Sequence, residues 1–161
     1  MDYSVIIPVY NGEQYIEECL DSVLNQLTNS NVIVEILIID DGSTDSTVSK
    51  CEKKLCDYPN AHIYSKKNEG LLLSRRFGLR KASGEWIVFV DADDYIEDHY
   101  FQTLERYKIN NPRIDMIIFG NRVVDDNGRF IKDNLHVFKD GQLFSGKSKY
   151  NLFLELSQST K

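Results

Sequence analysis

The 161 residues predict a single α/β domain built on a mainly parallel sheet. Three observations point there. Short β-branched runs alternate with stretches of helical periodicity in the order β-α-β-α-β-α-β-α-β. One run, Trp86-Ile87-Val88-Phe89-Val90, is five apolar residues long, as expected of a strand buried on both faces. Two runs lead directly into aspartates, Asp40-Asp41 and Asp91-Ala92-Asp93-Asp94. In open α/β sheets ligands sit beyond the carboxyl ends of strands, so these acids fall where binding and chemistry occur.

The first strand is Tyr3-Ser4-Val5-Ile6-Ile7-Pro8. Pro8 has no N–H and suits the strand's end rather than its middle. After the turn Val9-Tyr10-Asn11-Gly12, a helix from about Glu13 to Gln26 carries Tyr15 or Ile16, Cys19 or Leu20, Val23 and Leu27 at helical spacing. Glu17, Glu18 and Asp21 face outward, and acids in the early turns suit the helix dipole. Tyr10 reads equally as core filler or as a stacking surface for a ligand.

Val32 to Ile39 is the second strand, and Asp40-Asp41-Gly42-Ser43-Thr44-Asp45 follows it. Ser43 or Thr44 is placed to cap the next helix, with Asp45 or Ser46 supporting its first turn. One cap needs one side chain, so capping does not account for both aspartates. Val48, Cys51 and Leu55 form that helix's buried stripe, and Tyr58-Pro59-Asn60 ends it. His62-Ile63-Tyr64 is a brief strand near a sheet edge. A polar loop, Ser65 to Gly70, leads to a helix over Leu71 to Ala82 that carries Arg75, Arg76 and Arg80. Such arginines usually face solvent, but Arg75 in the second turn could reach a diphosphate with planar donors. Gly84 is expected to close this helix in the left-handed region.

Beyond the acidic strand, Tyr100 to Asn110 reads as a helix with Phe101, Leu104, Tyr107 and the Lys108 stem turned inward. Asp115 to Gly120 reads as a further buried strand. Val123-Val124 and Phe130-Ile131 flank Asp126-Asn127-Gly128, a strong hairpin signal. Lys147 to Gln158 has helical spacing. His62, His99 and His136 are scattered singly and are assigned no chemistry.

Composition narrows the function. A hydrophobic content of 42% with 27% charged residues is that of a soluble globular protein. The net charge of −6 argues against nucleic-acid binding, which needs a basic face. An anionic ligand stays open, because a divalent cation can supply positive charge locally. No apolar run reaches the roughly 18 residues of a membrane span, and no signal-peptide pattern opens the chain. The cysteines, Cys19, Cys51 and Cys56, are odd in number and lack metal-ligand spacing. Cys19 and Cys51 read as buried free thiols, which points to the cytoplasm.

The two acidic strand ends should border one crevice. A diphosphate there would be repelled by bare aspartates, and a Mg²⁺ or Mn²⁺ ion bridging carboxylate and phosphates reverses that sign. The first pair is better suited to hydrogen-bonding a nucleoside.

Four patches together resemble the N-terminal donor-binding part of family 2 glycosyltransferases, which have the GT-A fold, a Rossmann-like α/β/α sandwich. They are Ser4 through Glu13, Ile38 through Asp45, Asn68-Glu69-Gly70 through Arg75 to Gly78, and Gly84-Glu85 through Asp94. The resemblance implies a nucleotide-sugar donor, with UDP favoured by family frequency, and an inverting, hexosyltransferase-like transfer to an acceptor hydroxyl. It implies that Pro8, Tyr10 and Glu13 line the nucleoside pocket, with Tyr10 against the base. It places Asp41 on the base edge, Asp40 behind the loop and Arg75 near the donor. Asp91, Ala92 and Asp93 form the family's D-x-D stretch, with Asp93 the direct Mn²⁺ or Mg²⁺ ligand and Asp91 beside it. Arg76 stands where the family often has Asn.

An inverting transfer needs a carboxylate base. The resemblance puts that base well downstream of the D-x-D pair, and Asp125-Asp126, in a hairpin, do not fit. The base is therefore expected beyond Lys161, the 161 residues being a GT-A domain that holds donor and metal but lacks the acceptor part. A saccharide or lipid-linked acceptor, cell-surface polysaccharide synthesis and peripheral association with the inner membrane face complete the expectation. The alternatives are a phosphoacceptor signalling domain, against which Pro8-Val9-Tyr10 counts at the first strand's end, and a non-catalytic nucleotide-sugar-binding module. A dinucleotide-binding domain is weaker, since no G-x-G-x-x-G follows the first strand.

Overall fold

The computed structural model describes residues 1–28, 31–118, 120–125 and 128–134. The chain divides into two compact units, Met1–Arg113 and Ile114–Lys161.

In the first unit, β1 (Tyr3–Val9), β2 (Val34–Asp40), β3 (Ala61–Ser65) and β4 (Trp86–Phe89) form one sheet in the order β3-β2-β1-β4, every neighbouring pair parallel. The helices α1 (Ile16–Leu27), α2 (Thr47–Leu55), α3 (Leu71–Lys81) and α4 (Tyr100–Asn110) alternate with them. β1 and β2 are buried along their whole lengths, which is why they read as β-branched runs. Pro8 sits one residue inside the end of β1. The Ile6 carbonyl accepts from Val90 N–H on the β4 side, while the Val9 carbonyl accepts from Asp41 N–H on the β2 side. Alternation therefore turns the Pro8 nitrogen toward β4, past the last paired residue, where no donor is needed.

Ile6, Leu37 and Ile39 share one face of the sheet, and α3 lies on it. The contact is close because α3 presents Ser74 and Gly78, both buried; a Cβ on Gly78 would stand 2.4 Å from Ile6 Cγ2. On the other face Tyr3 meets Phe101 of α4, with ring centroids 5.2 Å apart. Lys108 lays its stem there and brings its ammonium 4.8 Å from the Tyr3 ring centroid, as the sequence pattern predicts. Cys19 and Cys51 are buried free thiols whose burial pushes each pKa up to about 12.

Several expectations are corrected. β4 is an edge strand among the described residues, and Phe89 is 43% exposed, so the apolar run is not buried on both faces. Gly84 does not take a left-handed conformation. It is needed for proximity: a Cβ there would stand 2.5 Å from the Ser4 nitrogen, where the chain enters β4 beside β1. Neither Ser43 nor Thr44 caps α2, which starts three residues after Thr44, at Thr47.

Glu35 points to the α3 face at the amino-terminal rim. It is buried, and one of its oxygens accepts from Ser4 Oγ (2.5 Å), Ser83 N–H (2.5 Å) and Gly84 N–H (3.1 Å). That carboxylate ties β1, β2 and the entry to β4 together.

In the second unit β5 (Asn121–Val124) and β6 (Phe130–Asn134) pair antiparallel with a bulge at Val123/Val124, as the hairpin signal predicts. Among the described residues 115–118 belong to no strand, and Asp115 and Met116 are exposed. An apolar run becomes a strand only where a neighbour takes its backbone hydrogen bonds. Phe119 and the segment Lys147 to Gln158 lie outside the described residues, as do Asp126 and Asn127.

Candidate functional site: two acidic strand ends at the carboxyl rim

The loops after β1, β2 and β4 emerge on the same rim of the sheet. They surround the point where the strand order reverses, between β1 and β4, which is where open α/β sheets hold ligands.

The loops after β1 and β2 are stitched together. Asn11, at φ +50°, receives Thr44 N–H on its Oδ1 (2.8 Å) and donates its own N–H to Ser43 Oγ (2.9 Å). Gly12 N–H reaches Thr47 Oγ1 (2.9 Å) and Glu13 N–H reaches Asp45 Oδ2 (3.2 Å). In return Glu13 Oε2 accepts Ser46 N–H (2.9 Å) at the start of α2. Glu13 thus meets one donor at the start of a neighbouring helix, a part the residue's spacing alone does not reveal. Tyr10 stands on this frame with 53% of its surface exposed, a broad aromatic face at the rim.

Asp40 and Asp41 are both buried. Asp40 Oδ1 accepts Ser43 N–H (2.8 Å), holding the turn that follows β2. Asp41 pairs with the Lys66 ammonium and accepts the N–H groups of Glu69 (3.0 Å) and Gly70 (2.7 Å), the residues leading into α3. Burial works to raise the Asp41 pKa, but Lys66 and the two amides outweigh it and hold it below the usual carboxylate range. Lys66 escaped the sequence reading; its signal was a basic residue directly after β3, the strand beside the one that ends in Asp41.

The loop after β4 is different in kind. Asp94 N–H closes a turn on the Asp91 carbonyl (2.9 Å), and Asp93 is exposed at its tip. Asp91 Oδ1 accepts from Arg75 Nη2 at 2.6 Å, with both side chains more than a third exposed. Burial, then the charges of Asp93 and Asp91, raise the Asp94 pKa. Ala92 is half-buried, and a Cβ on Gly12 would stand 3.8 Å from its own, so the loops after β1 and β4 abut. Arg76 is exposed on α3.

Among the described residues no three His, Cys, Asp or Glu side chains gather to hold a metal by themselves. The donor set at 91–93 still fits Mn²⁺ or Mg²⁺: hard carboxylate oxygens, one of them at an open tip, suit an ion that keeps several waters and takes substrate oxygens. A cavity of about 600 Å³, lined by Asp2, Phe101, Glu105 and Ile109 among others, opens at the opposite rim and has no part in this arrangement.

A family model described as "Glycosyl transferase family 2" matches residues 4–158. Glycosyltransferase GlyA of Streptococcus pneumoniae serotype 4 is 42% identical over 102 residues, covering 63% of this chain and 14% of GlyA. The minor teichoic acid biosynthesis protein GgaB of Bacillus subtilis is 36% identical over 104 residues, 64% of this chain and 11% of GgaB. The chain thus spans under a fifth of the length of these two relatives. Among solved structures, residues 1-349 of S. aureus TarS in complex with UDP-GlcNAc superpose with a TM-score of 0.62 at 28% identity, covering 80% of this chain and 42% of that one. The mannosyltransferase PcManGT of Pyrobaculum calidifontis, in complex with GDP-Man and Mn2+, gives a TM-score of 0.61 at 26% identity, covering 70% and 33%.

Proposed function

Because the chain belongs to glycosyl transferase family 2 and has the GT-A fold, we propose that it forms the donor-binding domain of an inverting glycosyltransferase. The donor is a nucleoside-diphosphate sugar, with a UDP-sugar the first candidate since TarS is seen with UDP-GlcNAc. The acceptor is a hydroxyl of a cell-surface polysaccharide or its lipid-linked precursor, a destination supported by the likeness to GgaB. Family membership sets aside the phosphoacceptor alternative.

In this reading Tyr10 stacks on the base and Pro8 shapes the pocket floor. Asp41 binds the base edge. Three of its lone-pair positions are already taken by Lys66, Glu69 and Gly70, so the carboxylate is held rigid for a further donor. Asp40 and Glu13 hold the loops, and Arg75 and Asp91-Ala92-Asp93 face the diphosphate. Asp93, with Asp91 beside it, holds Mn²⁺ or Mg²⁺. The ion, when bound, supplies positive charge that stabilises the departing diphosphate. The chain's own residues bind and orient the donor, and no described carboxylate is assigned the role of base. Among the described residues no helix is long and apolar enough to cross a membrane. Work at a membrane surface would then be peripheral for this domain.

The observation that carries the reading is the placement of an exposed tyrosine, a held carboxylate and an open one after three neighbouring strands on one rim of the sheet. A thermal-shift panel of nucleoside diphosphates and their sugars, with and without Mn²⁺, tests it. A ligand at 100 times its Kd should stabilise by about 2.7 kcal/mol. Asp93→Ala should remove the metal-dependent part and Tyr10→Ala should weaken the nucleotide part. Indifference of the wild-type chain to every nucleotide would overturn the reading.

A further inference from the structure

Arg75 makes an incomplete use of its guanidinium. Nη2 donates to Asp91 Oδ1 at 2.6 Å, and the group lies 5.8 Å from the Phe89 ring centroid. Nε is buried and has no hydrogen-bond partner. A guanidinium offers five donors in a planar fork suited to carboxylate or phosphate oxygens. Here the pairing with Asp91 uses one arm of that fork and leaves Nε unsatisfied, an arrangement that costs free energy and invites a better partner. Phe89, at the exposed edge of β4, flanks the guanidinium beside the acidic loop.

We infer that Arg75 is a resident counter-ion of the acidic loop: with no ligand bound it occupies Asp91, and an incoming diphosphate draws it off and frees Asp91 toward a divalent cation. The inference rests on the donor-site reading above. A cation and a guanidinium drawn to one carboxylate repel each other, so metal alone must compete with Arg75. A diphosphate offers several oxygens at once, satisfies the fork more fully and removes the competitor. Metal and diphosphate therefore bind with positive coupling beyond their direct attraction, and each tightens the other by the same factor. Arg75 thus touches the diphosphate itself and sets the order in which the rim fills.

The test is Mn²⁺ binding by the whole 161-residue chain, read from the electron-paramagnetic signal of the free ion, with and without UDP. Arg75→Met should bind Mn²⁺ alone about fivefold more tightly than wild type, at the low end of coupling between linked sites. The same variant should bind UDP more weakly in the presence of Mn²⁺, so that the linkage shrinks. Arg75→Lys, which keeps the charge, should bind Mn²⁺ alone within about twofold of wild type, well inside the range of a weak coupling. Melting curves without ligand verify that the variants are folded, and Arg75→Gln replaces the Met variant if that one is not. A measurement on the unaltered chain backs these: the Arg75 Nε–H resonance should move when UDP and Mg²⁺ are added. A folded Met or Gln variant whose Mn²⁺ affinity is unchanged or weaker overturns the inference alone, as does a static Nε–H signal in a chain that binds UDP. A wild-type chain that binds neither Mn²⁺ nor UDP overturns the donor-site reading as well.

Discussion

The strand ends of β2 and β4 are written alike and built differently. Each is an apolar run followed by aspartates and a turn. After β2, Asp40 and Asp41 are buried and every bond found on them is to the protein itself: Ser43, Lys66, Glu69 and Gly70. After β4, Asp93 is exposed and Asp91 has a single, half-exposed ionic partner. What separates them is place in the sheet. β2 lies between β1 and β3, with the polar loop 66–70 closing over its end, whereas β4, among the described residues, is an edge with only β1 beside it. A buried carboxylate must be satisfied by the protein, and that makes it rigid. An exposed one keeps its lone pairs for a ligand. One end is a frame held by the protein, and the other is the open end that the proposed function takes as the seat.

The largest way to break this contrast is Asp41→Ala, which takes the buried partner from the Lys66 ammonium and leaves it only the exposed Glu69 carboxylate at 3.2 Å and the Lys67 carbonyl. Removing one partner of a buried pair costs about 3–5 kcal/mol and Glu69 offsets part of it, so chemical denaturation should show a loss near the bottom of that range. A loss no larger than that of Asp93→Ala would erase the distinction. Next comes Glu35→Ala, which leaves the Ser4 hydroxyl and Ser83 N–H facing an emptied buried space, while Gly84 N–H keeps Ser4 Oγ at 2.7 Å. About 2 kcal/mol is expected, from unsatisfied donors at roughly 1–3 kcal/mol each with partial relaxation.

The pH dependence sharpens the same comparison. Burial works against the charged forms of Asp41 and Glu35, but their hydrogen bonds prevail and both pKa values are lowered. The stability each contributes is therefore fully present above the ordinary carboxylate pKa of about 4 and is lost as pH falls through the lowered folded value. The stability gap between wild type and Asp41→Asn should narrow below about pH 4 and stay level from pH 5 to 8. A gap that widened on acidification would mean the opposite shift.

Asp93→Ala comes lower on the scale: unliganded stability should barely change, as at most surface positions. The smallest effect concerns Cys19, whose Sγ lies 3.6 Å from the Asp91 carbonyl directly behind the open seat. With Cys19 and Cys51 pushed up to about 12 and buried, a thiol reagent at pH 8 should label Cys56 and nothing else in the folded chain. Labelling of Cys19 would show that the seat is loose underneath.

Much of this was legible without coordinates. Periodicity placed β1, β2 and all four helices of the first unit to within a few residues, because a period of 3.6 and a β-branched run each report burial directly. The four patches spelled out the family, and the acids fell on the rim where they were expected. The errors share a cause. Residues 115–118 and the exposure of Phe89 depend on which strands lie alongside, and Gly84 owes its identity to β1, eighty residues earlier. Lys66 looked like one charge in a polar loop until β3 set it against the end of β2.

The order of residues by itself determined the α/β alternation, the acidic strand ends and the family, since each is written in local spacing and composition. Only the tertiary structure decided that Asp41 is held while Asp93 is open, that Glu13 supports α2, and that Arg75 rests on Asp91. Those states turn on how many protein donors crowd each oxygen. Such donors come from segments tens of residues apart, and no local pattern counts them.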